Sequence, residues 1–311
     1  MKKRVLLAGA LLAATASLAT ASERIGIGTG GAGGVFYAVG AGMANVINND
    51  MPGASATAQV TGASIENVHR VEAGQIQFGF SSASTLYQAA HGKGPFPSKQ
   101  DVAAVAYLYP ATLQIAVKDS AHIKSMADLG KARIGIGPPG SNAALFCSRL
   151  LKAYGVFHQD RVQFLSYSEA TNAMQDNNLD ASCILAGTPA SAFIRLFTTE
   201  NVHLLGVGPA KAKSLIKKYP YYKTIKIPAK TYKGQNQAVL AVGDPAILFT
   251  RKSANQKMVY NVTKTLFTHL DQWKQSHPMA RFINAKDATH TPIPLAPGAK
   301  RYFDEADGNS K

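Results

Sequence analysis

The sequence predicts an α/β protein built as two lobes. Strand and helix patterns alternate along the chain, the alternation restarts near its middle, and two long β-prone stretches flank the second run. These stretches are 102–117, broken at 110–112, and 237–251, broken at 243–245. We expect the chain to cross between the lobes there, with lobe I formed by 22–112 plus 246–311 and lobe II by 113–245. Each lobe should contain a parallel sheet with helical crossovers.

The individual elements follow from local patterns. In the first unit we predict strand 24–29, helix 35–48, strand 54–60, a helix capped by Ser64, strand 77–80 and a helix from about Ala83. In the second unit we predict strand 133–137, a helix capped by Ser141, and then strand 162–165, helix 169–177 and strand 180–185. A last long helix, 254–275, carries an apolar stripe that belongs to the core (Val259, Val262, Leu266, Leu270 and Trp273).

The first 21 residues have the pattern of a secretory signal peptide. A basic start precedes an uncharged apolar run at 5–18, and Ala19-Thr20-Ala21 has the small-x-small form of a cleavage site. The apolar run is shorter than the roughly 20 residues that span a bilayer. With no cysteine near the cut, we predict an exported, periplasmic and soluble chain that starts near Ser22 and has no lipid anchor.

The charge of the chain is strongly basic. The formal net charge of +15 includes three positive residues of the signal peptide, which leaves +12 on the rest. The densest basic run, Lys211–Lys233, holds eight lysines. It is either a solvated surface or a docking face for a membrane partner. Because the chain is exported, we expect no nucleic acid partner.

Two cysteines, Cys147 and Cys183, are present. In an oxidising compartment an even count permits one disulfide, and the alternative is two buried free thiols. The sequence does not decide between them, because a disulfide needs Cα atoms roughly 4.4–6.8 Å apart.

A glycine loop follows the first strand. Residues 28–33 (GTGGAG) fit the dinucleotide pattern G-x-G-x-x-G, but the acidic residue at the expected distance, Asp50, falls in a predicted turn before the second strand instead of at its end. We therefore favour another role, in which backbone N–H groups and a helix N-terminus approach a ligand. Residues 140–142 repeat the arrangement in the second unit. The two helix N-termini either face one cleft and hold a carboxylate, or belong to ordinary tight turns.

Patterns typical of enzymes are missing from the sequence. It contains no G-x-S-x-G elbow, no histidines at metal-ligand spacing and no clustered acidic pair. We predict a binding protein with no catalytic residue, metal or cofactor.

Several segments together resemble one family. These are 25–40 (IGIGTGGAGGVFYAVG), 60–89 (VTGASIENVHRVEAGQIQFGFSSASTLYQA), 92–96 (GKGPF), 125–143 (SMADLGKARIGIGPPGSNA) and 291–305 (TPIPLAPGAKRYFDE). The chain resembles a TAXI-type solute receptor of TRAP transporters over nearly all of its mature length. The resemblance implies a type II periplasmic binding protein fold with the ligand in the cleft between the lobes. It also implies a permease driven by an ion gradient, and an acidic ligand such as glutamate or a 2-oxoacid. We expect a monomer.

The resemblance also implies ligand-binding residues. Tyr37 occupies the family's aromatic position after the glycine loop, or it packs beneath that loop. Asn142 stands where glycine is common in the family. The matching positions are Thr29, Gly30, Gly31, Tyr37, Ser64, Ser141, Asn142, Gly187 and Thr188.

One departure from the family bears on the ligand. Ser82 and Ser84 stand where many relatives carry Gln and Asp. Loss of a carboxylate removes the partner of an ammonium group, so we predict a carboxylic acid without an amine. The rival functions are an ABC-type or sensory periplasmic receptor, an exported enzyme, and a structural or adhesive surface protein.

Overall fold

The computed structural model describes residues 23–308. The predicted signal peptide, residues 1–21, and the predicted start at Ser22 lie outside the described residues. The first run of elements is β1 (Glu23–Gly28), α1 (Val35–Asp50), β2 (Ala54–Gln59), α2 (Ser64–Glu72), β3 (Phe78–Ser82), α3 (Ala83–His91) and β4 (Val102–Tyr109).

The second run forms the middle of the chain. Its elements are β5 (Thr112–Lys118), β6 (Ile134–Gly135), α4 (Asn142–Tyr154), β7 (Val162–Gln163), α5 (Tyr167–Gln175), β8 (Ala181–Ala186), α6 (Ser191–Thr199), β9 (Val202–Leu205), α7 (Pro209–Lys218), β10 (Lys223–Ile227) and β11 (Val239–Gly243). Three short 3₁₀ turns cover Asp119–Ala121, Met126–Lys131 and Pro278–Phe282. The chain closes with β12 (Ala246–Arg251), α8 (Gln256–Thr268), α9 (Leu270–Lys274), α10 (Ala285–Ala288) and α11 (Pro297–Ala306).

Two sheets organise these elements into two lobes. The first lobe is built on a five-stranded sheet in the order β2-β1-β3-β12-β4, and the second on a seven-stranded sheet in the order β10-β11-β5-β8-β6-β7, with β9 paired to β5. β3 is buried over its whole length because helices cover its sheet on both faces. The predicted two-lobed α/β fold is confirmed.

The sheets are mixed and not purely parallel. β1 pairs in parallel with β2 and β3, but β12 enters antiparallel between β3 and β4. In the second lobe β6, β7 and β8 are parallel, while β5 is antiparallel to β8, β9 and β11. The prediction of parallel sheets missed this because strands that return from the other lobe enter in the opposite direction.

The two β-prone stretches break where the chain leaves one sheet for the other. β4 ends at Tyr109 before β5 starts at Thr112, and β11 ends at Gly243 before β12 starts at Ala246. The two crossing segments lie side by side, since the Asp244 N–H donates to the Ala111 carbonyl at 2.9 Å. The exact lobe boundaries remain our proposal, which the strand membership of the two sheets supports.

Two helix predictions were wrong in detail. The single helix expected at 254–275 is two helices, α8 and α9, which are separated at His269. Ser64 is the first residue of α2 and makes no capping bond; Ala63 is the N-cap, with a φ of 74°. Ser141 does cap α4, because its hydroxyl oxygen accepts the Ala144 N–H at 3.0 Å.

The second lobe contains a disulfide. Cys147 on α4 and Cys183 on β8 are bonded, with Cα atoms 6.2 Å apart. Both cysteines are fully buried in the core of that lobe. The structure therefore decides the alternative that the sequence left open.

Among residues 23–308, no helix combines the length and hydropathy needed to cross a membrane. In the same part of the chain, no three His, Cys, Asp or Glu side chains are grouped as metal ligands would be.

Candidate ligand-binding site

A cavity of 170 Å³ lies in the cleft between the lobes. The first lobe contributes the glycine loop after β1 and the segments that open α1 and α2. The second lobe contributes the loop before α4, the start of α5 and the end of β8. These segments all lie at the carboxyl ends of strands, where open α/β sheets bind ligands.

Five helices begin at the wall of this cavity. Their N-cap residues all line it: Gly34 for α1, Ala63 for α2, Ser82 for α3, Ser141 for α4 and Ser166 for α5. The first N–H groups of a helix have no acceptor inside that helix. Each helix also carries a partial positive charge of about half a unit at its N-terminus. The convergence makes the cavity favourable for an anion.

The described residues of the cavity wall include no charged side chain that would neutralise or add to the partial positive charge of these helix N-termini. Among the described residues that line the cavity, none is Asp, Glu, Lys, Arg or His. The nearest carboxylate along α2, Glu66, accepts the Gly62 N–H at 2.6 Å and lies 3.7 Å from Arg70. Several first-turn N–H groups already have acceptors, among them those of Ile65 and Glu66 on Gly140 and that of Ser84 on Asp244. An anion in the cavity would therefore be held by the remaining backbone N–H groups, the hydroxyls and the helix dipoles.

The rest of the wall is apolar. Val35, Phe36 and Val60 line the first-lobe side, and Leu185 and Ala186 line the second-lobe side. The cavity therefore combines convergent helix N-termini with an apolar surface.

The two lobes touch across the cleft. The Ile65 and Glu66 N–H groups of α2 both donate to the Gly140 carbonyl, at 3.1 and 3.2 Å. On the other side of the cavity, the Ala192 N–H donates to the Gly33 carbonyl at 3.2 Å. The structure is thus a closed conformation.

Six of the predicted site residues line the cavity: Gly30, Gly31, Ser64, Ser82, Ser141 and Asn142. Ser64 and Ser82 lie together, because the Ser64 oxygen accepts the Ser82 N–H at 3.0 Å. Ser64 therefore joins α2 to the end of β3, in place of the capping role that we expected.

Five predicted residues lie outside the wall. Thr29 is fully buried, and its hydroxyl donates to the Gln59 carbonyl at 2.7 Å. Tyr37 is half-buried on α1. Ser84 bonds to Asp244 behind the wall, Gly187 lies against Met279, and Thr188 faces a separate surface groove.

Sequence reasoning missed residues that shape the site. Asn67 is fully buried, and its amide donates to the carbonyls of Gly28, Thr29 and Phe80 at 2.8–3.1 Å, which fixes the glycine loop against β3. Tyr167 lines the cavity, and its hydroxyl bonds to the Leu185 backbone. Asn67 lies within the quoted segment 60–89 but was not singled out there, and Tyr167 lies outside the quoted segments. Their roles follow from the three-dimensional contacts.

The basic run forms part of the second-lobe surface. Its lysines on α7 and β10 are exposed. Within residues 23–308 none of the lysines of this run forms an ion pair with a carboxylate.

Comparisons with known proteins agree with this architecture. The model of the NMT1-like family matches residues 27–306. Among solved structures, the chain is similar to the alkanesulfonate-binding protein SsuA from Xanthomonas axonopodis pv. citri bound to MOPS, with 18% identity, a TM-score of 0.53, and 90% of this chain and 83% of that chain covered.

Two further structures share the fold. A protein described as a periplasmic transporter aligns with a TM-score of 0.58 at 12% identity, over 92% of this chain and 93% of that one. A protein described as a candidate L-cystine ABC transporter from Listeria monocytogenes aligns with a TM-score of 0.52 at 14% identity, over 86% and 99% of the two chains. At these identities the similarity establishes the fold.

Proposed function

Because the chain belongs to the NMT1-like family, we propose that it is a periplasmic solute receptor that captures a small carboxylic acid and delivers it to a TRAP-type secondary transporter. The convergence of five helix N-termini on a cavity without charged lining residues carries the anion part of this proposal. Delivery to a TRAP permease is supported by the sequence resemblance alone.

The cavity supports an acid that lacks an amine. An ammonium group needs a carboxylate or several acceptors when it is removed from water. The described residues of the wall contain no carboxylate, and the apolar surface around the helix ends suits a short aliphatic body. We therefore propose a monocarboxylate such as a 2-oxoacid, and we propose binding, not catalysis, as the activity.

The proposed motion is closure around the ligand. The ligand enters the open cleft, contacts the helix N-termini of both lobes and favours the closed state through its higher affinity for that state. The closed form then docks on the permease.

A thermal-shift panel on protein that has been unfolded, washed and refolded tests the ligand class. The panel pairs acids of one carbon skeleton: pyruvate, lactate, propionate and alanine, and their four- and five-carbon counterparts, with methanesulfonate added. A ligand at 100 times its Kd stabilises the native state by roughly 2.7 kcal/mol, or very roughly 5–10 °C here. We expect shifts with the amine-free acids and none with the amino acids. Larger shifts with the amino acids would refute the predicted class, and a flat panel would refute capture of small acids.

A cavity-filling variant locates the binding. Ala143→Leu adds volume at the wall of the cavity, whereas Ser148→Leu adds it on the same helix at a half-buried position outside the wall. The first should abolish the shift and the second should leave it unchanged. Equal behaviour of the two variants would place the ligand elsewhere.

An ABC-type receptor is the second candidate, which the similarity to a candidate ABC transporter protein favours. Uptake of the identified acid into membrane vesicles distinguishes the two. Uptake that needs an ion gradient supports the TRAP assignment, and uptake that needs ATP supports the ABC assignment.

A further inference from the structure

A buried carboxylate lies behind the cavity wall, at the point where the chain crosses between the lobes for the second time. Asp244 is fully buried between β11 and β12. It does not line the cavity. A buried carboxylate is costly unless it is hydrogen-bonded, so its partners identify what it holds in place.

The partners of Asp244 come from both lobes. From the first lobe, the Ser84 N–H donates to it at 3.0 Å and the Ser84 hydroxyl donates at 2.5 Å, both in the first turn of α3. From the second lobe, the Asn142 amide donates to it at 2.7 Å, and Asn142 is the first residue of α4. The same amide lies 3.3 Å from the Ser84 hydroxyl.

We infer that Asp244 is the positioning residue for closure: its carboxylate holds the Asn142 amide of one lobe against the first turn of α3 in the other, and thereby populates the closed cleft before any ligand binds. Because Asn142 lines the cavity, the same bond fixes the wall. The consequence for ligand affinity rests on the proposed function, but the consequence for closure does not.

The surroundings keep Asp244 in contact with both lobes. Arg149 on α4, Tyr221 and Tyr222 are the titratable groups that act on its charge. Tyr222 accepts a bond from Arg149 at 2.7 Å, and Tyr221 accepts one from Gln88 of α3 at 2.7 Å. Of these bonds, the one between Gln88 and Tyr221 joins the two lobes, and the one between Arg149 and Tyr222 lies within the second lobe.

The charge state suits this role. Burial, opposed by the hydrogen bonds from Ser84 and Asn142 and by Arg149, raises the pKa of Asp244 to about 6. At pH 7.5 the carboxylate is therefore ionised, and it accepts all three bonds. Hydrogen bonds to a charged group are stronger than neutral ones, so the linked contacts of Asp244 with Ser84 of the first lobe and Asn142 of the second should together shift closure by roughly tenfold or more.

Hydrogen exchange of the ligand-free protein measures closure directly. The Ile65 and Glu66 amides are bonded to Gly140 of the other lobe, so they exchange rapidly when the cleft opens. The amides of Val262 and Leu266, in the buried centre of α8, report global unfolding instead. We expect the first pair to be protected in the wild type.

Swapping the amide and the carboxylate between positions 142 and 244 is the decisive test. In Asn142→Asp, two carboxylates face each other and cannot both be ionised in the closed state. We use the Ile65 and Glu66 amides as the reporter amides. Their hydrogen-exchange rate, corrected for intrinsic rates, should rise by roughly tenfold or more at pH 7.5 and return toward the wild-type rate near pH 5. Asp244→Asn should raise it by roughly fivefold.

The double variant restores the bond in reverse, with the amide at 244 donating to the carboxylate at 142. Its exchange should lie within about threefold of the wild type, well below that of Asn142→Asp. Asp287→Asn is the matched control, because Asp287 is a carboxylate of the first lobe that bonds within its own turn to Asn284. It should change nothing at the reporter amides.

If the role of Asp244 were purely structural, its replacement would raise the hydrogen-exchange rate in α8 as well, and the double variant would not restore the wild-type rate. Either result would overturn the inference, as would reporter amides without protection in the wild type. Because no ligand is used, a flat thermal-shift panel would refute the proposed function and leave this test unaffected.

Discussion

The Cys147–Cys183 bond should contribute a large share of the stability of the second lobe. It joins α4 to β8, and β8 lies inside the sheet between β5 and β6. The helix that it holds is the one whose N-terminus lines the cavity. Breaking the bond leaves both native side chains in place, so the main change is the freedom of the unfolded chain.

The magnitude follows from the length of chain that the bond closes. The two cysteines are 36 residues apart in sequence. The chain-entropy relation gives about 13 cal/mol/K for a loop of that length, which is about 4 kcal/mol at 25 °C. Because whole domains are stable by only about 5–15 kcal/mol, reduction should bring the second lobe close to its unfolding threshold.

Urea unfolding of the oxidised and reduced protein measures this difference. We expect the midpoint of the second-lobe transition to fall on reduction while the first-lobe transition stays in place. The double variant Cys147→Ala, Cys183→Ala should behave like the reduced protein and be insensitive to reductant. A difference below about 1 kcal/mol, or two titratable thiols in native protein purified from the periplasm, would refute the reasoning.

Burial raises the pKa of Asp244 from 3.8 to about 6. The stability that this carboxyl group contributes is therefore present below the unfolded pKa and is lost as the pH rises through 6, so the free energy of unfolding should fall by about 3 kcal/mol over that window. Asp244→Asn should remove this fall from the pH dependence of the unfolding free energy, as measured by denaturant titrations. In Gly62→Ala the new Cβ would lie 2.6 Å from the Pro139 carbonyl oxygen of the other lobe and 2.8 Å from Glu66 Oε2 of its own lobe. Ligand affinity should fall about tenfold by calorimetry while the melting temperature of the ligand-free protein falls only slightly, and a large loss of both would contradict a closure effect. Ser141→Ala removes the bond to the Ala144 N–H and should cost about 1 kcal/mol in urea unfolding, whereas no loss would show that the cap is dispensable.

The sequence predicted those parts of the architecture that local residue patterns determine. The β-prone stretches with central breaks, 102–117 and 237–251, became four strands with one crossing segment inside each stretch. A break inside a long β-prone run is visible as Pro110 or as Gly243-Asp244-Pro245, because proline cannot donate to a strand ladder. Sheet direction was missed, since it depends on which lobe a strand returns from.

The site was predicted in part, and the misses share a physical reason. Ser141 could be found because it stands at a strand–helix junction, which alternation locates. Ser82 was found because it stands where many members of the resembled family carry Gln. Asp244 is part of a turn sequence that is common in loops, and nothing local distinguishes a buried carboxylate from an exposed one. Its partners Ser84 and Asn142 are 160 and 102 residues away in sequence. Contacts of that range are set by closure of the lobes and not by a local pattern.

The arrangement of charge also explains why a ligand would favour the closed state. Three of the five helix N-termini belong to the first lobe and two to the second, so closure brings partial charges of the same sign together. In the open cleft, water screens them; in the closed cavity it no longer does, and the effective dielectric constant falls. Asp244 supplies a counter-charge beside α3 and α4.

Glu66 and Glu169 supply a counter-charge in the first turns of α2 and α5. The first turn of α1 has no acidic residue, and this helix end receives no counter-charge from the described residues of the wall. An anion bound in the cavity would supply this counter-charge. The electrostatic stabilisation of the anion is greatest when the cleft is closed. This difference is the differential affinity that a ligand needs in order to shift a conformational equilibrium. A neutral isostere of the same acid, such as its primary amide, should therefore bind the cavity and yet add less protection at the Ile65 and Glu66 amides than the acid adds to the protection of the ligand-free protein. Equal protection by the two at equal occupancy would mean that shape, and not charge, closes the cleft.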